Sequence, residues 1–188
     1  DVCFTVGSLL PALLLGVALG NVIAGIPMAA NGDYAGVPLL GLLSPFTLVA
    51  GLLGLAMCLS AGAAWVALKA PAGSAVHKRA AKLRVPCQVA ALVLFAVATV
   101  LAFAVVKPVF APGMLAAGVI IALVFLACVV ASIVLGRKGN DLMAFLLQSA
   151  AAACLVALAA VTLFPNLVVA APGSVGASIT LMSAASSD

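Results

Sequence analysis

The chain has 188 residues, of which 67% are hydrophobic and only 6% are charged, and its mean hydropathy is +1.43. A soluble domain is usually about 25% charged because it must cover its surface with polar groups, so this composition excludes an ordinary soluble globular protein. In a soluble protein the net charge of +4 would favour a nucleic-acid partner. Here the charge lies in short segments between apolar runs, so membrane topology explains it better and no nucleic-acid partner is expected.

The first apolar run covers residues 4–26 and is long enough to cross about 30 Å of hydrocarbon. Pro11 predicts a kink or a supported turn inside this span, and the GxxxG spacing of Gly16 and Gly20 indicates close packing against another helix. The chain starts with Asp1 and shows no basic region or cleavage site, so it does not resemble a signal peptide, and we expect an internal piece of a longer chain. Residues 27–41 then form a loop that contains Asp33 but no Lys or Arg.

The second run, residues 45–68, predicts another span whose small side chains favour a tight helix–helix face. These small residues are Gly51, Gly54, Ser60, Ala61 and Gly62. Near the end of the run, Trp65 precedes Lys69, as expected of an anchor at the membrane interface. A basic loop follows over residues 69–84, in which we expect residues 80–83 to continue as helix into the next span. It holds five of the eight basic residues, namely Lys69, Lys78, Arg79, Lys82 and Arg84.

Three more apolar runs predict spans over residues 85–106, 114–135 and 142–164. A tail of small and polar residues, 166–188, follows them. The predicted fold is therefore an all-α integral membrane bundle of about five transmembrane helices. It forms a single domain over residues 1–188 and part of a larger helical subunit.

The distribution of basic residues predicts the orientation of these spans, because Lys and Arg are retained on the cytoplasmic side. If the loop 69–84 is cytoplasmic, Arg137 and Lys138 also lie inside, and Lys107 alone lies outside. We therefore expect the Asp1 end to be cytoplasmic and the tail 166–188 to be outside.

The predicted spans contain no Asp, Glu, His, Lys or Arg, the residues that usually mark proton paths, ion sites and cofactor ligands in membranes. The single histidine, His77, lies in the basic loop and is expected to be solvated there. The five cysteines form no CxxC or Cys/His pair and are interpreted as small buried or lipid-facing side chains. The sequence therefore predicts no catalytic, cofactor-binding or metal-binding residue, and it indicates a scaffold.

A few uncharged polar residues remain inside the spans. They are Gln88, Thr99, Ser132, Gln148, Ser149 and Thr162. In lipid such side chains most often hydrogen-bond a neighbouring helix, and this is our prediction for Gln148 and Ser149. Contact with a quinone or with water is the minority interpretation.

Several short stretches resemble one known family in their order and spacing. They are Gly16–Val–Ala–Leu–Gly–Asn21 with Gly25 and Pro27, then Ser44–Pro–Phe46, Gln88, and Phe164–Pro–Asn166. The chain resembles, over essentially its whole length, the second half of subunit II of the cytochrome bd-type quinol oxidases, a group that includes the cyanide-insensitive oxidases. The family's subunit II is longer, with helices before this part and one after it. Its acidic, tryptophan-containing stretch has no counterpart here, so no functional residue is carried over.

The resemblance implies a respiratory oxidase of the bacterial inner membrane that oxidises quinol and reduces dioxygen to water. It also implies that haems b and d belong to a partner, subunit I, which this chain would stabilise as a scaffold without a cofactor of its own. The resemblance is compatible with a small accessory subunit as a further partner. From the residues alone, a fragment of a transporter or permease, or a membrane adaptor that is no enzyme, stays an alternative.

Overall fold

The computed structural model describes residues 2–31, 33–37, 40–108, 110, 112–171 and 173–185. Within them, five helices are long and apolar enough to cross a membrane, which confirms the predicted all-α membrane fold. These helices are α1 (Val2–Ala24), α2 (Pro45–Lys69), α3 (Ala75–Leu101), α4 (Met114–Arg137) and α5 (Asp141–Leu163). A single π-helical turn, Ala102–Val106, extends α3, and a short 3-10 turn, Leu40–Leu42, precedes α2.

Helices α1, α2, α4 and α5 begin and end within two residues of the predicted spans, but α3 does not. It begins at Ala75, ten residues before the predicted start of the span. The expected helical continuation over residues 80–83 is therefore confirmed, whereas the loop prediction is wrong for residues 75–79 and for Arg84. Ser74 caps the helix, its hydroxyl accepting a hydrogen bond from the His77 backbone N–H at 3.1 Å. Lys, Arg and Ala are good helix formers, so the basic stretch extends the span instead of interrupting it.

Helices α2 to α5 form two hairpins that pack side by side. One hairpin is α2–α3 and the other is α4–α5; α2 also packs against α5, and α3 against α4. The hydrophobic core lies where the four helices meet and includes the fully buried Phe125 and Val129. Phe95 of α3 contacts Phe125 of α4, with ring centroids 4.5 Å apart.

Helix α1 packs against α2 through glycines. A Cβ atom at Gly16 would lie 2.8 Å from the carbonyl oxygen of Ala50 and 2.9 Å from Cα of Gly51, so only glycine allows this approach. The predicted close packing of the GxxxG pair is therefore confirmed. Pro11 lies inside α1 without ending the helix. Of the small residues of α2, Gly51 and Gly54 face α1, whereas a Cβ atom at Gly62 would meet no other atom within 4 Å.

The described part of the tail folds back onto the segment that follows α1. Two short antiparallel strands, β1 (Asn166–Val168) and β2 (Ile179–Thr180), precede a single helical turn, α6 (Leu181–Ala184). The backbone of Ile26 bonds Val169 and Ala171, at 2.9 and 3.0 Å. We call this part of the molecule the cap end; its described residues are 25–31, 33–35, 164–171 and 173–180. Residues 172 and 186–188 of the predicted tail lie outside the described residues, and so does Asp1 at the start of the chain.

The turns within the two hairpins, residues 70–74 and 138–140, lie together at the other end of the bundle. We call it the basic end, because seven of the eight Lys and Arg residues lie on or beside these turns. They are Lys69, Lys78, Arg79, Lys82, Arg84, Arg137 and Lys138. Lys107 follows α3 towards the cap end. The two ends of the bundle therefore differ strongly in charge.

The close approach of α1 and α2 predicts that Gly16→Val destabilises the protein. The added side chain would overlap the α2 backbone, and overpacking of this kind costs about 1–3 kcal/mol. The free energy of unfolding of the full-length protein, measured by titration with a denaturing detergent, tests this. Gly7→Val is the matched control, since a Cβ atom at Gly7 meets no other atom within 4 Å. Equal losses for the two variants would contradict the predicted packing role.

Candidate functional site

Four buried polar side chains meet at the centre of the four-helix bundle, one from each helix. They are Ser60 of α2, Gln88 of α3, Ser132 of α4 and Gln148 of α5, and none is exposed. Gln88 Nε2 donates to Ser132 Oγ at 2.8 Å and to Gln148 Oε1 at 3.0 Å. Gln148 Nε2 donates to Ser60 Oγ at 2.6 Å. We call this group the amide cluster.

The amide cluster joins the two hairpins reciprocally. Gln88 of the first hairpin bonds Ser132 of the second, and Gln148 of the second bonds Ser60 of the first. Both serine hydroxyls donate to backbone carbonyls. Ser132 Oγ donates to the carbonyl oxygen of Ala144 at 2.7 Å, and Ser60 Oγ donates to that of Met57 at 3.0 Å. Every side-chain donor thus has a partner, which an apolar environment requires. Gln88 Oε1 is a buried acceptor without one among the described residues.

The prediction that Gln148 bonds a neighbouring helix is confirmed, and the same prediction for Ser149 is wrong. Ser149 is exposed and donates to the carbonyl of Phe145 in its own helix, at 3.0 Å. Thr99 and Thr162 likewise bond carbonyls of their own helices, those of Phe95 and Leu158. Consecutive helical residues point about 100° apart, so only one of residues 148 and 149 can face the bundle interior.

A second polar group, the ion cluster, joins the same hairpins near the basic end. Arg84 Nη1 donates to Asp141 Oδ1 at 2.8 Å, and His77 Nε2 lies 2.8 Å from Asp141 Oδ2. The Arg84 side chain is only 2% exposed. Its guanidinium lies against the bare Cα of Gly136, where a Cβ atom would overlap it. A carboxylate in the first turn of α5 is also stabilised by the helix dipole.

The ion cluster corrects two predictions from the sequence. His77 is not a freely solvated loop residue but a helical one, partly buried and paired with Asp141. Arg84 is not in a loop either but is buried between the hairpins. Since Arg84 and Asp141 are 57 residues apart, their pairing left no local signal. The presence of one carboxylate beside a basic turn was the only hint.

An apolar cavity of about 280 Å³ opens nearer the cap end, between α1, α2, α3, α4 and α5. Its walls include Gly16, Phe46, Phe95 and Leu155, and its polar lining side chains are two threonines. None of the lining residues carries an imidazole, a thioether or a thiol. The described residues also hold no group of three or more His, Cys, Asp or Glu side chains able to bind a metal ion.

The ion cluster predicts a large stability loss in Asp141→Asn. Removing one partner of a buried ion pair leaves the other charge uncompensated, which typically costs about 3–5 kcal/mol. Because Asp141 remains 16% exposed, we expect a loss of about 3 kcal/mol or slightly less in the free energy of unfolding. Combining the change with Arg84→Met should recover much of it. A double variant as unstable as the sum of the two single variants would contradict the direct pairing.

Comparison with known proteins identifies the family of this chain. A sequence model described as cytochrome bd terminal oxidase subunit II matches residues 1–188. A curated relative from Haemophilus influenzae, named "Probable cytochrome oxidase subunit 2", is 39% identical over 67 residues. That match covers 34% of this chain and 18% of the relative, so the aligned part is far less than two thirds of the relative's length. Since the family match covers every residue, this multi-pass membrane protein belongs to the cytochrome bd terminal oxidase subunit II family.

Proposed function

We propose that this chain is a scaffold segment of subunit II in a respiratory quinol:dioxygen oxidoreductase of the bacterial inner membrane. The whole complex would oxidise quinol and reduce dioxygen to water. The observation that carries the proposal is the family match over residues 1–188. The same match leaves the transporter alternative without support.

The chemistry of the bundle interior supports a scaffold role for this chain. Its buried polar side chains are mostly amides and hydroxyls that bond one another, as in the amide cluster. A haem needs axial ligands such as His, Met or Cys, and the lining of the apolar cavity does not fit that requirement. The only histidine, His77, is engaged with Asp141 at the basic end. We infer that haems b and d are held by the partner subunit I.

The outer surface of the bundle offers room for such a partner. Helix α1 buries only three residues, Val17, Gly20 and Asn21. Its other side chains include strongly exposed apolar ones such as Phe4 and Leu15, at 81% and 74% exposure. Lipid or a helical partner can cover this face.

For the orientation we propose that the basic end faces the cytoplasm, because Lys and Arg are retained there. The Asp1 end would then be cytoplasmic as well, and the cap end, with the tail 166–188, would lie outside. The proposal rests on the seven basic residues gathered at one end of the bundle. It does not depend on the oxidase function.

Co-purification tests the oxidase proposal. The full-length protein, tagged and isolated from its own membranes in mild detergent, should elute with a larger partner and give haem bands in the dithionite-reduced minus oxidised spectrum. Deleting the partner's gene should remove the bands while this protein still reaches the membrane. A colourless preparation without a partner, from membranes that contain the oxidase, would contradict the proposal.

Labelling of an introduced cysteine tests the orientation. In a variant without the five native cysteines, Ala75→Cys places a thiol at an exposed position at the start of α3. A membrane-impermeant maleimide should label it only after the inner membrane is permeabilised. A cysteine in place of the exposed Val175, at the cap end, should be labelled in intact spheroplasts. The reverse pattern would invert the proposed topology.

A further inference from the structure

The basic end contains an open groove of about 570 Å³ between the end of α2 and the start of α5. Its polar lining side chains include Lys138 and Asn140, and its apolar ones include Leu68 and Leu142. The groove therefore has a cationic, hydrogen-bonding side and an apolar side. This combination suits a molecule with an anionic head and an apolar body.

Among the residues that the structure describes, the positive charge around the groove is almost entirely uncompensated. Six basic side chains at this end are exposed, namely Lys69, Lys78, Arg79, Lys82, Arg137 and Lys138. Asp141 also lines the groove, but Arg84 and His77 already hold its two oxygens at 2.8 Å. Within the described part of this end it is the sole carboxylate. An anion entering the groove therefore meets a surface of net positive potential.

A tilted aromatic pair lies on the same two helices, about one helical turn from Leu68 and Leu142 of the groove. Trp65 of α2 contacts Phe145 of α5, with ring centroids 5.1 Å apart. The ammonium of Lys69 lies 4.9 Å from the centre of the Trp65 ring. Trp65 remains 47% exposed although it makes both contacts. Tryptophan in this position is typical of the membrane–water interface, where its ring lies at the level of the lipid headgroups.

The length of α2 places these groups at the depth of the lipid headgroups. Its 25 residues correspond to roughly 37 Å of helix, more than the roughly 30 Å of the hydrocarbon core. Lys69 is the last residue of α2, so it lies beyond the hydrocarbon. Trp65 is four residues, or about 6 Å, nearer the membrane centre.

We propose that the groove between α2 and α5 at the basic end binds an anionic phospholipid. Lys138 and Lys69 attract its phosphate, and Asn140 offers a hydrogen-bonding side chain beside it. Leu68, Leu142 and the exposed ring of Trp65 contact the glycerol and the upper acyl chains. Basic pockets between membrane helices commonly bind such headgroups. The site does not depend on the proposed oxidase function, because it needs neither haem nor quinol.

Native mass spectrometry of the delipidated full-length protein tests the site, with phosphatidylglycerol, phosphatidylcholine and inorganic phosphate as probes. We expect phosphatidylglycerol to bind at least fivefold more tightly than phosphatidylcholine. The variant Lys69→Gln/Lys138→Gln should lose affinity for phosphatidylglycerol by roughly 5-fold per lysine, the size expected for one basic residue near an anionic lipid. The variant Lys69→Arg/Lys138→Arg should keep its affinity.

Lys107→Gln is the matched control, because Lys107 is an exposed lysine towards the opposite end of the bundle; its affinity should equal that of the wild type. Wild-type affinity in the double Gln variant would overturn the proposal. So would equal binding of the two lipids, or displacement of phosphatidylglycerol by equimolar inorganic phosphate, which would indicate a free-phosphate site. If the double Gln variant does not fold, the ratio of wild-type affinities for phosphatidylglycerol and phosphatidylcholine tests the proposal, and equal affinities overturn it.

Discussion

The bundle depends on the requirement that polar groups inside a membrane find their partners within the protein. Helices α2 to α5 are apolar on nearly every face, and apolar contacts between helices gain little over contacts with lipid. Such contacts select neither partner nor register strongly. The amide cluster selects both the partner and the register, because Gln88 and Gln148 meet their hydrogen-bond partners in only one arrangement of the two hairpins.

The ion cluster repeats the same constraint one helical turn nearer the basic end. Arg84 and Gln88 are four residues apart on α3, so both face the second hairpin. Arg84 bonds Asp141, and Gln88 bonds Ser132 and Gln148. The two clusters therefore form one polar seam between the hairpins. Its groups hold helices together, as the proposed scaffold role requires.

Hydropathy was enough to predict the five spans and the membrane fold, because length and apolarity alone decide them. Hydropathy did not predict where α3 begins, because the basic residues that indicated a loop are also good helix formers. The same bonding was predicted for both Gln148 and Ser149, because a helix that is apolar all round has no polar face to show which of the two residues points inward. The pairing of Arg84 with Asp141 and the fold of the tail over Ile26 depend on contacts between distant parts of the chain.

A double-mutant cycle on Gln88 and Gln148 tests most directly whether the amide cluster fixes the two hairpins. The free energy of unfolding would be measured for Gln88→Leu, Gln148→Leu, the double variant and the wild type. Direct bonding at 3.0 Å predicts a coupling energy of about 0.6 kcal/mol, the average for hydrogen bonds between membrane helices, and of no more than about 1.7 kcal/mol, the maximum for such bonds. Losses that add to within about 0.3 kcal/mol would mean that the two amides act independently, which would contradict a cluster that fixes the hairpins as one unit.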